Sequence, residues 1–210
     1  MHYAIELHFD AQGSAPINAL AEEIQVTYGG APLVGTGWGP HITLTVFDEL
    51  PPAPVVAPLT ATVASPVVPP QLAQLLTGYA NRSRGFTMQL AAVGLFPGEE
   101  RVIYLAPIVT EPLLALHRAF HSELAALGVT SRRYYQPDRW VPHCTVAFLV
   151  PAVALGKAAN LCRQSPLPLT VTVRALRLIA ITPPATDSGP PLPVVTELAV
   201  SQETRVVYQW

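Results

Sequence analysis

The pattern of hydrophobic and polar positions changes period several times in the first part of the chain. Residues 3–9 alternate as a strand does, and residues 41–47 form a β-branched, apolar run typical of a second strand. Between them the apolar positions recur at helical spacing, from Ser14, a candidate N-cap, to a stop at Gly29 and Gly30. The chain is therefore predicted to begin with strand, helix and strand.

The rest of the chain mixes strands and helices without regular alternation. The clearest helix covers residues 111–129, where Pro112 lies in the first turn, several leucines and Phe120 form one apolar stripe, and Gly128 ends the helix. Further helices are predicted at residues 71–83 and 153–164, and further strands at residues 86–96, 101–109, 143–150, 169–182 and 194–201. This order predicts an α+β fold rather than a repeating βαβ arrangement.

A proline-rich stretch lies between the strand predicted at residues 41–47 and the helix predicted at residues 71–83. Residues 51–70 contain seven prolines. Because proline removes a backbone donor and breaks helices, the stretch is predicted to be an extended connection. An alternative is an interaction protein that uses this stretch as a ligand for a partner domain, although no PxxP motif with a flanking arginine stands out.

The composition describes a chain that can bury a large core. Half of its 210 residues are hydrophobic, and 12% are charged, against about 25% in an average globular domain. The formal net charge of −2 argues against a broad basic surface of the kind that grips duplex DNA. We therefore expect no duplex DNA partner, whereas a small anionic ligand needs only two or three well-placed cations.

Signals for export, membrane insertion and disulfide formation are missing from the pattern. The first residues show neither a basic leader nor a long apolar segment, and no apolar run of about 18 residues without proline follows. Cys144 and Cys162 are too few for a disulfide framework or a four-ligand zinc site. These features favour a cytoplasmic protein without a membrane partner, and we expect it to be a monomer.

Two short stretches carry the clearest chemical signal. Residues 40–44 read PHITL and residues 142–146 read PHCTV, so Pro-His-x-Thr opens an apolar strand twice. Residues i and i+2 of a strand share a face, so each stretch presents an imidazole and a hydroxyl side by side. The four side chains are those of His41, Thr43, His143 and Thr145. The repeat suggests a duplicated lobe with a pseudo-twofold axis.

Two imidazoles and two hydroxyls around one small volume suit displacement at a phosphodiester. A neutral imidazole accepts the proton of the attacking hydroxyl or water, and a protonated imidazole gives a proton to the leaving oxygen. Both forms exist near neutral pH because the unperturbed pKa of histidine is about 6.5. Each positioned acid or base contributes about 10²–10⁴ in rate. The threonine hydroxyls would donate to phosphate oxygens, and this scheme requires no metal and no cofactor.

The paired Pro-His-x-Thr strands resemble the two signatures of the 2H phosphoesterase superfamily, which includes 2′-5′ RNA ligase-like proteins and cyclic nucleotide phosphodiesterases. Residues 86–108 resemble the hairpin before the central helix of that family, and residues 134–148 resemble its approach to the second motif. The likeness extends from residue 3 to about residue 200. It implies one bilobal domain over residues 1–210, in which two small α+β lobes of antiparallel sheet and helices flank a central cleft.

The resemblance also implies roles for individual residues. His41 and His143 would be the acid–base pair, and Thr43 and Thr145 would donate to phosphate oxygens. The implied substrate is the 2′,3′-cyclic phosphate or 2′-5′ phosphodiester of a small nucleotide or RNA end.

The sequence departs from the family in the residues that follow each motif. Many members carry a basic residue shortly after one His-x-Thr, whereas this chain continues with LTVFDEL and VAFLVPA. Replacement cations are offered by Arg132, Arg133 or Arg139, just before the second motif. Tyr135 and its aromatic neighbours are candidates to stack on a base. An alternative to an enzyme is a non-catalytic module that holds a nucleotide or phosphorylated metabolite in the same cleft.

The other histidines receive no role from the sequence. His117 and His121 lie four apart on the helix predicted at residues 111–129, a spacing that suits zinc. No third ligand of suitable spacing is evident, so we expect this pair to lie on a solvated helix face. His2 and His8 have no partner that the sequence identifies.

Overall fold

The computed structural model describes residues 1–35, 37–52, 68–83, 85–182, 194–197 and 208–209. Most of the predicted proline-rich connection and the predicted loop 183–193 lie outside the described residues.

The described residues form eight strands, four α-helices and one 3₁₀ turn. The strands are β1 His2–Phe9, β2 His41–Phe47, β3 Thr87–Leu95, β4 Ile103–Pro107, β5 Cys144–Ala147, β6 Leu169–Thr182, β7 Val194–Glu197 and β8 Tyr208–Gln209. The helices are α1 Ala11–Tyr28, α2 Pro70–Arg82, α3 Glu111–Ala126 and α4 Leu155–Gln164, and the 3₁₀ turn is Arg133–Tyr135. The α+β prediction is confirmed.

Helix α1 begins earlier than the sequence suggested. Its N-cap is Asp10, whose carboxylate accepts a hydrogen bond from the backbone N–H of Gly13 at 2.9 Å, so the prediction that Ser14 is the cap is wrong. Gly13 also permits a close approach, because a β-carbon there would lie 3.0 Å from the Cα of Val171 on β6. The cap and the close approach together fix α1 against β6.

The strands form one antiparallel sheet with the order β2-β1-β6-β3-β4-β5, and β7 and β8 also pair with β6. The long strand β6 divides this sheet into two halves. Its residues 169–172 pair with β3, and its residues 173–181 pair with β1. One half therefore ends at β2 and the other at β5, the two strands that carry the repeated motif.

The core joins both halves of the sheet to the helices. Phe47 of β2 and Phe120 of α3 are fully buried, and each such side chain contributes roughly 1.5–3 kcal/mol through burial. The ring of Phe120 meets Tyr79 of α2 edge-on, with centroids 4.7 Å apart. Helix α1 packs against β5, β6 and α4, so an element that follows β1 also supports the second motif strand.

A membrane span requires a helix that is both long and apolar. None of the helices in the described ranges combines the length and the apolar character needed to cross a bilayer.

Candidate active site

The two motif strands meet although they lie at opposite ends of the sheet order. Strands β2 and β5 contact each other, and the thiol of Cys144 lies close to the backbone of His41. Cys144 is fully buried, as expected for the residue between His143 and Thr145 that points away from the site. The sheet therefore curves so that its two edges face one volume.

That volume is a cavity of about 570 Å³, within the range of small-molecule sites. The four motif side chains, His41, Thr43, His143 and Thr145, all line it. The repeated motif thus brings two imidazoles and two hydroxyls to the same cavity.

Each motif histidine is oriented by the carbonyl two residues before it. Nδ1 of His41 lies 2.8 Å from the carbonyl oxygen of Gly39, and Nδ1 of His143 lies 2.7 Å from that of Val141. A carbonyl only accepts hydrogen bonds, so Nδ1 carries the proton in both rings and donates it. Nε2 is therefore the nitrogen of each ring that is left for other partners.

His143 is surrounded by aromatic rings. Its imidazole meets Phe96 edge-on at 4.6 Å and Tyr104 at 5.3 Å between centroids. Burial lowers the pKa of His143, and the positive charge that His41 can carry acts in the same direction, while the hydrogen bond with Val141 opposes both. The surroundings of His143 favour its neutral form.

His41 faces a buried carboxylate that sequence reasoning did not identify. Nε2 of His41 lies 3.3 Å from Oε1 of Glu6, and Glu6 is 1% exposed. Trp38 donates its Nε1–H to Oε1 at 3.2 Å, and Nε2 of His8 lies 2.9 Å from Oε2. Burial opposes ionisation of Glu6, but the charge of His41 and the hydrogen bonds from His8 and Trp38 outweigh it and lower the pKa of Glu6 to about 2.

The register of β1 and β2 creates this contact. His8 pairs with His41 and Glu6 with Thr43, after a bulge between Ile5 and Glu6. The only signal in the sequence was Glu6 two positions before His8 on a strand, which places both side chains on one face. Nothing in the sequence paired that face with His41.

Glu6, His8 and His41 also bring three potential metal-ligating atoms within 4.8 Å of one another. Two imidazoles and a carboxylate are a donor set used for divalent transition metals. Here, however, both Nε2 atoms lie at hydrogen-bond or ion-pair distance from oxygens of the same carboxylate. The three residues thus form a network of one hydrogen bond and one ion pair around a single charge, and a metal ion bound to all three would have to displace the proton that His8 donates to Glu6.

The predicted substrate-binding residues fall into two groups. Tyr135 lines the cavity, and so do Tyr134, Trp140 and Arg139. Arg132 and Arg133 are exposed and are not among the cavity-lining residues that the structure describes. Nε of Arg132 instead donates to Asp48 at 3.0 Å, so the cation placed at the cavity by this segment is Arg139.

The expectation of a solvated face for His117 and His121 is wrong. His117 is 2% exposed, and its ring stacks on Trp140 with centroids 3.9 Å apart. The Nε2 atoms of both histidines lie at hydrogen-bond distance from the carbonyl of Leu44, 3.1 and 3.2 Å away, and Trp140 donates to the carbonyl of Thr43 at 2.9 Å. This pair therefore fastens α3 to the strand that carries His41 and Thr43.

The buried histidines predict that the fold is acid-labile. Burial, assisted by the charge of His121, lowers the pKa of His117 to about 4, whereas an unfolded chain binds this proton near 6.5. The stability that neutral His117 contributes is complete above pH 6.5 and is lost as the pH falls towards 4. Since each kcal/mol lost lowers Tm by about 2–4 °C in a chain of this size, we expect Tm to fall by several degrees between pH 7 and pH 5.

Thermal unfolding followed by circular dichroism measures this dependence. The variant His117→Gln keeps a side-chain donor but does not titrate, and we expect a smaller change of Tm with pH. A Tm that is unchanged between pH 7 and pH 5 in the parent protein would contradict the assignment of a buried, neutral His117.

Comparison with known proteins agrees with this architecture. The family model described as the 2′-5′ RNA ligase superfamily matches residues 7–182. Protein TT0787 of Thermus thermophilus has a similar fold, with 19% identity, coverage of 95% of this chain and 96% of that chain, and a TM-score of 0.55. A solved phosphoesterase has 18% identity, coverage of 94% and 97%, and a TM-score of 0.52.

Escherichia coli LigT complexed with 3′-AMP aligns at 18% identity over 94% of this chain and 97% of that chain, with a TM-score of 0.49. A comparison with curated protein sequences gave no significant match. The family model covers most of the chain, and the motif strands, sheet and cavity described above lie almost entirely within the matched residues. The chain therefore belongs to the 2′-5′ RNA ligase superfamily, the 2H phosphoesterases.

Proposed function

We propose that this protein is a metal-independent phosphodiesterase that acts on the 2′,3′-cyclic phosphate or 2′-5′ phosphodiester of a small nucleotide or RNA end. The observation that carries the proposal is that both His-x-Thr pairs line one cavity. Membership of a phosphoesterase superfamily supports the reaction type.

The proposed reaction uses the motif residues as an acid, a base and two anion donors. One imidazole accepts a proton from the attacking water, and the other protonates the oxygen that leaves phosphorus. The hydroxyls of Thr43 and Thr145 donate hydrogen bonds to the non-bridging oxygens. These hydrogen bonds hold the phosphorus in line between the two imidazole rings. Binding of the reactants in one orientation adds to the rate because it removes the entropy cost of bringing them together.

The walls of the cavity favour a nucleotide among phosphodiesters. Trp38, Phe96, Tyr134 and Tyr135 contribute aromatic surface, on which a base can stack whatever its sequence identity. Arg139 supplies a positive charge to the cavity lining, and Glu100 supplies an exposed carboxylate. A cavity with one arginine among its described lining residues suits a substrate with one phosphate better than a long polyanion.

The direct experiment is a screen of 2′,3′-cyclic nucleotides and 2′-5′-linked dinucleotides, with products separated by chromatography. We expect turnover by chelator-treated protein in chelator-containing buffer, since no step in the proposed reaction uses a metal. Turnover that strictly requires an added divalent ion would contradict the metal-independent mechanism. Saturable nucleotide binding by calorimetry, with no product after long incubation, would favour the non-catalytic binding module instead.

The pH dependence of turnover gives a further prediction. The profile should be bell-shaped, because one imidazole must be neutral and the other protonated. Burial lowers the pKa of His143, so neutral His143 persists to more acidic pH than an exposed histidine would. If His143 is the base, the acidic limb of kcat/KM therefore lies below pH 6.5, the ordinary pKa of histidine being about 6.5. If kcat/KM fell on only one side of its pH optimum, the two-histidine scheme would be contradicted.

A further inference from the structure

The carboxylate of Glu6 is buried and faces His41, one of the residues that line the cavity. Glu6 is 1% exposed, and His41, whose side chain is 16% exposed, lines the cavity above it. Glu6 is not itself among the described residues that line the cavity. Glu6 therefore reaches the cavity through two residues that line it, the ion-paired His41 and the hydrogen-bonded Trp38.

Each ring nitrogen of His41 has an oxygen atom close to it. Nδ1 of His41 already donates to the carbonyl of Gly39 at 2.8 Å. Nε2 lies 3.3 Å from a carboxylate oxygen of Glu6, which is ionised and can only accept. The contact is an ion pair, and His41 acts on Glu6 through its charge, whereas His8 and Trp38 act through hydrogen bonds. A negative charge this close favours the form of the ring in which both nitrogens carry a proton. A neutral His41 would leave the buried carboxylate of Glu6 without this positive charge beside it.

The remaining partners of Glu6 do not replace this proton. Trp38 donates to Oε1 of Glu6, the oxygen that lies near His41, and His8 donates to Oε2. Burial lowers the pKa of His8, so this ring contributes a neutral N–H rather than a positive charge. His41 is then the group that balances the buried carboxylate.

His143 has the opposite surroundings. Its Nδ1 donates to Val141, and the rings of Phe96 and Tyr104 cover its sides. Burial, followed by the charge of His41, lowers the pKa of His143 against one opposing backbone hydrogen bond, and no carboxylate contributes to the shift. The two motif histidines are therefore equivalent in sequence but not in environment.

We infer that Glu6 is a positioning residue that keeps His41 doubly protonated, which makes His41 the general acid and His143 the general base. This inference rests on the proposed function for its catalytic consequence. Nε2 of His143 takes a proton from the attacking water as the new P–O bond forms. The bond from phosphorus to the leaving oxygen breaks as the Nε2–H proton of His41 moves to that oxygen. His41 ends neutral and His143 protonated, and proton exchange with water restores the starting state.

Several other groups can influence His41. The titratable or charged side chains near it are Glu6 and His8 from β1, His143 before β5, Arg177 on β6 beside His8, and Glu100, Tyr134, Tyr135 and Arg139 on the cavity wall. Burial, followed by the charge of Glu6, raises the pKa of Tyr135, so this phenol is uncharged at neutral pH. Glu6 is the one for which an ion-pair contact with His41 is present among the described residues. Removing its charge is therefore the most direct test.

The first measurement uses the parent protein and needs no substrate. The ¹⁵N shifts of the two imidazoles, assigned with His41→Ala and His143→Ala, distinguish a doubly protonated ring from a neutral one. At neutral pH we expect His41 to be doubly protonated and His143 to be neutral with its proton on Nδ1. A neutral His41 under these conditions would overturn the inference, even if a substrate is turned over. An absence of turnover would leave this measurement intact, so the two failures are distinguishable.

The second measurement is the pH–rate profile of Glu6→Gln. Glutamine retains the shape and can still accept from Trp38, but it removes the charge. We expect the basic limb of the profile to move to lower pH by about 1–3 units, because an opposite charge within about 4–6 Å of the imidazole is lost. On that limb, kcat should fall at least about 10-fold. We expect KM to change much less than kcat, because Glu6 does not touch the substrate.

The matched control is Glu23→Gln on the exposed side of α1, which makes the same chemical change without a contact to the site. An unshifted basic limb in Glu6→Gln, with normal folding, would overturn the inference. Zinc titration of chelator-treated protein gives a third test. Stoichiometric zinc that displaces the Nε2 protons of His8 and His41 would show that the three residues are a metal site, and it would also overturn the inference.

Discussion

Replacing His143 or His41 by alanine is expected to lower kcat at least about 10²-fold on a responsive substrate. Each variant removes one of the two histidines that line the cavity and that we propose as proton carriers, while Thr43 and Thr145, the proposed phosphate donors, remain. KM should therefore change much less than kcat. Steady-state kinetics at the pH optimum of the parent protein measure both quantities.

A histidine outside the cavity makes this test specific. His2 stands at the start of β1 and is not among the described lining residues, so His2→Ala is the matched control, for which we expect parental activity. In the double variant His41→Ala/His143→Ala, the loss should be smaller than the product of the two single losses, because the residues act as a unit. Equal activity of the parent and both single variants would contradict the assignment of this cavity as the active site.

The sequence predicted the strands that carry the site better than it predicted the connections between side chains. Strands β2 and β6 have the predicted bounds because β-branched runs and alternation are local properties. The start of α1 was misplaced because Asp10 and Ser14 are both good N-caps, and packing against β6 decides between them. A choice of this kind depends on tertiary contacts that the local pattern does not contain.

The candidate site shows the same division. A repeated motif identified four of the side chains that line the cavity, because both copies are readable along the chain. Glu6 was missed because its contact with His41 depends on the register of β1 and β2 after a bulge. Arg139 rather than Arg132 lines the cavity because Arg132 pairs with Asp48, a residue far away in sequence. Pairings across the sheet could not be derived from composition or spacing.

A substitution at Gly94 on β3 is expected to disturb the aromatic rings that pack against His143. Gly94 pairs with Tyr104 of β4, and a β-carbon at Gly94 would lie 2.2 Å from Cζ of Tyr104. The tyrosine ring therefore lies across the glycine backbone. From there it contacts Phe96 at 4.4 Å and His143 at 5.3 Å between centroids. Because Gly94 has no side chain, there is room for the ring of Tyr104, which packs against His143, the proposed base.

Gly94→Ala is accordingly expected to lower kcat by about 10–10²-fold, the effect of a displacement of about 1 Å at a reacting group. The added methyl group must move the ring of Tyr104, and overpacking of this kind also costs about 1–3 kcal/mol of folding free energy. Kinetics and thermal unfolding measure the two effects. Gly156→Ala on α4 is the matched control, since a β-carbon there meets nothing within 4 Å, and we expect parental activity and stability.

A double-variant cycle decides whether the effect passes through Tyr104. Tyr104→Ala removes the ring that the new methyl group would strike, so adding Gly94→Ala to it should cost little further activity. The two substitutions should therefore be strongly non-additive, with the double variant no less active than Tyr104→Ala alone. Additive losses would show that Gly94→Ala does not act through the ring of Tyr104. Full activity of Gly94→Ala would show that displacing this ring leaves His143 in place. His143 would then owe its orientation to its hydrogen bond with Val141 and its contact with Phe96.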